Sequence, residues 1–137
     1  MRPSTQPIDL LEWPGIRPRK GLDLSSFLKG FVYAWRGIAA GASGRNFRVM
    51  LAAAVIMIVL GYFLNISRME WGLVILATGL VLSLELLNTA GEKLVDILSP
   101  DHDPRYGLVK DILAGAVLVT ALAAAVVGLL VFWPILF

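Results

Sequence analysis

Glu85, Asn88, Glu92 and Asp96 fall within one long apolar stretch, and their spacing could do chemistry. On a helix of 100° per residue, Glu92 and Asp96 lie about 20° to either side of Glu85. Asn88 and Thr89 flank that line, while the opposite face is leucine, valine and isoleucine. From Glu85 to Asp96 the stripe covers roughly 16 Å at 1.5 Å per residue. A carboxylate at membrane depth costs on the order of several kcal/mol unless it is paired, wetted or bound to a cation. One such residue could be a polar seam that only holds helices together. Three acids and an amide in register point instead to a functional site. Just downstream come Asp101-His102-Asp103 and then Lys110-Asp111.

The residue types suggest a reaction. Carboxylates with an amide oxygen suit a hard cation such as Mg²⁺, which prefers oxygen ligands and keeps several waters. A lysine at a helix N-terminus suits phosphate oxygens, helped by free backbone N–H groups and the dipole. A carboxylate withdrawn from water is a candidate general base. Together these parts could hold a polyphosphate and its metal at a membrane surface and activate a hydroxyl within the lipid. The reaction class is phosphoryl transfer to a lipid alcohol, in which the protein mainly positions groups and neutralises charge. Plainer roles compete residue by residue. Asp96 and Lys110 could form an interfacial ion pair, and Asp111 could cap a helix. His102 lies in a Pro-flanked loop, a poor setting for a metal ligand. Lys93, about 80° around the helix from Glu85, suits a snorkelling headgroup contact.

The elements that must position these residues follow from hydropathy. The chain of 137 residues is 58% hydrophobic with a mean hydropathy of +0.77, which excludes an ordinary soluble domain. It contains no cysteine, so disulfides and thiolate metal sites are absent. Residues 1–24 hold Pro3, Pro7, Pro14 and Pro18 and read as an irregular cytoplasmic tail. No apolar core of a signal peptide occurs there. Residues 25–137 form one domain. Ser25 or Ser26 can cap a helix over about 25–42, with Phe27, Phe31, Trp35 and Ile38 on one face. That basic, aromatic, amphipathic helix suits the membrane interface. Gly41-Ala-Ser-Gly44 breaks it and lacks the spacing of a phosphate-binding loop. Three membrane spans follow at about 47–64, 71–98 and 110–133, the last ended with the help of Pro134. The fold class is therefore all-α integral membrane, one interfacial helix plus three transmembrane helices. Seven of the twelve Lys/Arg residues precede the first span, and Arg48 stands at its entry. The positive-inside rule puts the N-terminus and the acidic end of the second span in the cytoplasm, and the C-terminus outside. Nucleic acid is excluded as a partner, because no recognition module is visible.

At these residues the chain resembles the prokaryotic diacylglycerol kinase and undecaprenol kinase family of small three-span membrane enzymes. The resemblance runs through Glu85-Leu-Leu-Asn88-Thr-Ala-Gly-Glu92-Lys-Leu-Val-Asp96, Ser99-Pro100 and Lys110-Asp111-Ile-Leu-Ala-Gly-Ala-Val-Leu. Arg45-Asn-Phe-Arg48 and Phe31-Val-Tyr33-Ala-Trp-Arg-Gly37 support it, so that it covers about residues 26 to 134. It implies an ATP- and magnesium-dependent lipid kinase of the bacterial inner membrane, working as a homotrimer on undecaprenol or diacylglycerol. By position, Glu85 matches the family's general base and Glu92 a metal-binding glutamate. Asn88, Glu92, Asp96, Lys110 and Asp111 match residues around the nucleotide; Tyr33 and Asp101, His102 and Asp103 correspond to further nucleotide contacts. Arg48 corresponds to a substrate contact. Two positions depart from the pattern. Gly44 stands where the family usually has a second metal-binding glutamate, and Gly91 replaces a bulky apolar residue. Two other classes compete with the kinase: a small proton-coupled transporter built on an intramembrane Glu, and a non-catalytic scaffold of the same family. The transporter is disfavoured by the gathering of acids towards one surface.

Overall fold

The computed structural model describes residues 24–99 and 103–136. They form four helices in chain order, α1 (Leu24–Gly41), α2 (Arg45–Phe63), α3 (Arg68–Leu98) and α4 (Pro104–Leu136). The last three are long and apolar enough to cross a membrane. This is the all-helical, three-span architecture that the hydropathy pattern predicts. The tail ahead of α1 and the loop residues Pro100, Asp101 and His102 lie outside the described residues. The chain divides into two compact units, Met1–Ala34 and Trp35–Phe137, and α1 contributes to both.

In the first unit, every described residue of α1 is exposed. Phe27 and Phe31, one turn apart, meet edge to face with ring centroids 5.2 Å apart. An exposed aromatic and basic helix of this kind is suited to lie at a membrane interface. The helix begins at Leu24, so Ser25 and Ser26 both lie inside its first turn instead of before it.

In the second unit α3 is the central helix, packing on α4 and less extensively on α2. Its buried residues are Val74, Val81, Glu85, Asn88 and Val95. These recur at intervals of seven, four, three and seven, a single stripe along one face. Many of the other apolar side chains point away from protein, with Leu76 and Ile97 at 70% and 77% exposure. A membrane-spanning helix can leave such residues outside because lipid is as apolar as they are. The core sits at the Trp71 end of α3. There Ile66, Val74, Val131 and Phe132 are buried, with Met57, Leu64, Trp71 and Val127 packed around them.

Local sequence explains where the helices start. Asn65 turns the chain with φ 52°, a left-handed conformation that Asn tolerates better than branched residues do. Ser67 then caps α3. Its hydroxyl accepts from the Glu70 N–H at 3.3 Å, and Glu70 Oε2 accepts from the Ser67 N–H at 2.7 Å. Ile66 and Trp71 flank this reciprocal cap and meet in the core, as in a hydrophobic staple. The helix therefore starts ahead of Trp71, where the apolar run begins. At α4 the shift is larger. Asp103 Oδ1 accepts from the Arg105 N–H at 2.9 Å, and Pro104 occupies the first helical position, where its missing N–H is no loss. Helix α4 thus begins six residues before Lys110. It also continues through Pro134, which lies inside the helix and does not end it.

The turn between α1 and α2 has its own fastenings. The Gly44 N–H bonds Gly41 O at 3.1 Å, and Ser43 Oγ donates to Ala40 O at 2.8 Å. Helices α2 and α3 run antiparallel, with Gly61 of α2 against Trp71; Gly41, the last residue of α1, meets Leu86 farther along α3. A Cβ at Gly41 would collide with the Leu86 side chain, so the glycine lets this turn sit close against α3, one residue from Glu85.

Candidate active site

Glu85 and Asn88 are the two buried polar residues among those described, at 3% and 4% exposure. They occupy the same stripe of α3 as Val74, Val81 and Val95, so packing has taken the carboxyl and the amide out of contact with lipid. Glu92, one turn beyond Asn88, is half-buried. The Asn88 Nδ2 group donates to Glu92 Oε1 at 3.0 Å. That bond orients the amide and leaves Asn88 Oδ1 buried without a partner among the described residues. An orphaned buried acceptor costs about 1–3 kcal/mol. An oxygen so placed, beside a carboxylate, is suited to a cation.

Farther along α3 the stripe comes out into the open. Asp96 pairs with Lys110 of α4, the two side chains being 66% and 37% exposed. Ser99 Oγ accepts from the Asp103 N–H at 3.1 Å, tying the end of α3 to the start of α4. Between them lies a cavity of about 200 Å³ lined by Val95, Asp96, Ser99, Asp103, Tyr106 and Lys110. The Arg105 side chain and backbone N–H both bond Asp103 and hold its carboxyl below the usual range. Asp103 is therefore anionic, but it is already engaged with its own helix. Asp111 is exposed.

The structure brings together most of the residues singled out by spacing, with differences of detail. Glu85, Asn88, Glu92 and Asp96 lie along the C-terminal part of α3, and Lys110 and Asp103 meet its end from the start of α4. Asp101 and His102 lie outside the described residues. Tyr33 belongs to the first unit, where it is 63% exposed. Arg48 is exposed and donates from Nη2 to Ser43 O at 2.6 Å, pinning the α1–α2 turn. The free helix-start N–H groups expected beside Lys110 are not there. Lys110 sits within α4, where its N–H belongs to the helical ladder, and the true helix start is occupied by the Asp103 cap. Any phosphate grip by Lys110 therefore comes from its ammonium. Asp111 for the same reason does not cap the helix.

Two residues not singled out from the sequence also shape the site. Tyr106 lines the cavity next to Lys110. Its place follows from the early start of α4, for which Asp103-Pro104 is a legible signal. Leu113 lies against Gly91, where a Cβ would run into it. The glycine therefore sits at a close approach of α3 and α4, beside Glu92, and is not a weak point on an open surface.

Among the described residues no three acidic or histidine side chains come close enough to form a metal site by themselves. Glu92 and the Asn88 oxygen offer a partial set, which fits Mg²⁺ in particular. That ion is commonly held by one or two carboxylates, with phosphate oxygens and water completing its shell. Asp96 is paired with Lys110 in this structure.

Comparison with known proteins agrees with this geometry. The family model for prokaryotic diacylglycerol kinase matches residues 32–132. The undecaprenol kinase of Bacillus subtilis is 43% identical over 82% of this chain and 92% of its own length. A diacylglycerol kinase of Synechocystis is 38% identical over 75% of this chain and 60% of its own length. That of Escherichia coli K12 is 28% identical over 77% and 88%. With three apolar spans, a buried Glu-Asn pair and a match over most of its length, this chain belongs to the prokaryotic diacylglycerol kinase family.

Proposed function

We propose that this membrane lipid kinase transfers the γ-phosphoryl group of Mg-ATP to undecaprenol, with Glu85 as general base. The observation that carries the reading is the burial of Glu85 and Asn88 on the packed stripe of α3, next to a half-buried Glu92. A carboxylate kept from water serves as a proton acceptor within the apolar layer, where a lipid hydroxyl resides. Glu85 takes the hydroxyl proton as the alcohol oxygen bonds to the γ-phosphorus, and ADP leaves with the electrons of the broken P–O bond. Glu92 and Asn88 Oδ1 would hold the Mg²⁺, which supplies charge neutralisation at the phosphates. Lys110 reaches phosphate oxygens through its ammonium, while Asp96, Asp111 and the 101–103 loop frame the nucleotide. Arg48 and Tyr33 are further contacts, to the lipid substrate and the nucleotide respectively.

Undecaprenol is preferred over diacylglycerol because the relative at 43% identity carries that name, whereas the diacylglycerol kinases compared stand at 38% and 28%. The Asp96 end of α3 faces the cytoplasm, where ATP is available, and the protein assembles as a homotrimer in the inner membrane. The test is labelled ATP with purified protein, offering undecaprenol and diacylglycerol separately. Label should enter undecaprenol at the higher rate. The Glu85→Gln variant should lose at least about 100-fold in turnover. It should also keep or raise its melting temperature, since a neutral amide is easier to hold out of water than a carboxylate. Unchanged turnover would refute the assignment of Glu85.

A further inference from the structure

We infer that Leu113 of α4 is a positioning residue: seated on Gly91, it holds the Asn88–Glu92 pair of α3 and the Lys110 ammonium of α4 in one register for a metal-bound nucleotide. This rests on the kinase reading above. Gly91 has no side chain of its own, and a Cβ there would run into Leu113 Cδ1, with Cγ at 3.4 Å and Cδ2 at 3.5 Å. The whole isobutyl group therefore lies across the α3 backbone at this point. Asn88 and Val95 stand three residues before Gly91 and four after it, neighbours on the same face of α3, and both are buried. Glu92 is the next residue and accepts from Asn88 Nδ2 at 3.0 Å. On α4, Lys110 stands one turn before Leu113, and the buried Val117 one turn after it, so the three share a face. A single side chain thus links the oxygens that would take the cation to the ammonium that would take phosphate.

The other ties between the two helices at this end cannot set that register. The Asp96 and Lys110 side chains are 66% and 37% exposed, and an exposed ion pair holds its partners weakly. That pair also has to part when the ammonium turns to a phosphate. The Ser99–Asp103 bond lies beyond it, just ahead of the first residue of α4. Core packing gathers at the opposite end of α3, around Val74 and Phe132. Leu113 on Gly91 is an apolar contact for which no nucleotide competes. In lipid, close approach over a small residue is what fastens one helix to another. A register set there survives the exchange of Lys110 from carboxylate to phosphate. Loosening it by about 1 Å would draw the cation's oxygens away from the phosphate grip.

The test reads binding as well as turnover, on the full chain in nanodiscs of neutral lipid. Mn²⁺, which suits the same oxygen ligands as Mg²⁺, is titrated in the presence of a non-hydrolysable ATP analogue, and its free fraction is read by electron paramagnetic resonance. Leu113→Ala should weaken Mn²⁺ binding about tenfold and raise KM for Mg-ATP by a similar factor, while KM for undecaprenol stays level. Leu113→Val, the milder truncation, should shift both less, and serves alone if Leu113→Ala does not fold. Gly91→Leu combined with Leu113→Ala returns the bulk from the α3 side and should bring Mn²⁺ binding back to within about threefold of wild type. Val117→Ala trims the next buried side chain on the same face. It should lower the melting temperature yet leave Mn²⁺ binding unchanged. Wild-type Mn²⁺ binding in folded Leu113 variants overturns the assignment and leaves the kinase reading standing. An equal loss in Val117→Ala does the same, since the contact would then be packing alone, as does a double variant that binds no better than Leu113→Ala. Wild-type protein that phosphorylates no lipid alcohol overturns the kinase reading, and this inference with it.

Discussion

Asn88 is the residue whose surroundings are least explained by packing alone. Its amide nitrogen is used by Glu92 and its oxygen is left unanswered within a buried stripe. If that oxygen serves a cation, Asn88→Leu should raise the Mg²⁺ concentration for half-maximal activity at least tenfold while sparing the fold, because leucine also removes the orphaned acceptor. A magnesium titration of both proteins checks it; superimposable curves would remove Asn88 from the metal site. Gly44 bears on the same ion. Its φ of −67° and ψ of 142° suit any residue, and a Cβ there meets only Gly41 O at 3.4 Å. Gly44→Glu should therefore fold normally and lower the Mg²⁺ requirement several-fold, measured by the same titration. Residue identity at this site was legible from spacing, since a 100° helical step puts Glu85, Asn88, Glu92 and Asp96 on one side. What spacing could not reveal was partnership. Nothing in the letters shows that Arg48 would turn to Ser43 O, or that Asp103 would be spent on its own helix.

At the scale of the element, the helix bodies were legible and their starts were not. Hydropathy marks where a span can lie, whereas caps decide where backbone bonding begins. Both missed starts carried a chemical signal: Ser67-x-x-Glu70 for α3 and Asp103-Pro104 for α4. The helix contact at Gly91 was invisible for a different reason, since it depends on what faces the residue across space. Gly91→Leu should destabilise the protein by about 1–3 kcal/mol, the usual penalty for overfilling a packed contact. Leu113→Ala should recover part of that loss in the double variant. Thermal unfolding of the two singles and the double gives the coupling directly; additive effects would mean that Gly91 and Leu113 do not meet.

For the whole molecule, orientation in the membrane is the property on which access to ATP depends. The absence of native cysteine allows a clean measurement. Single cysteines at Ser99, at the Asp96 end, and at Met69, at the Trp71 end, can be probed in intact cells with a membrane-impermeant thiol reagent. Met69, 77% exposed, should label, and Ser99 should label only after the cells are opened. The reverse pattern would put the acidic end outside and exclude ATP as the donor. Basic-residue counts along the chain predict the orientation in which Ser99 is cytoplasmic. Which face of α3 packs on protein was not legible in the sequence, because an apolar residue on a spanning helix reads the same whether it meets lipid or protein.

The bond between Asp96 and Lys110 has a consequence for how a nucleotide would arrive. The resting lysine already has a counter-ion, so capturing a triphosphate means an exchange of partners rather than the filling of an empty seat. Added salt weakens the old attachment along with the new one. Nucleotide affinity should then fall less steeply with ionic strength in the native protein than in Asp96→Asn, where the ammonium waits alone. Binding isotherms across a salt series would show the two slopes diverging.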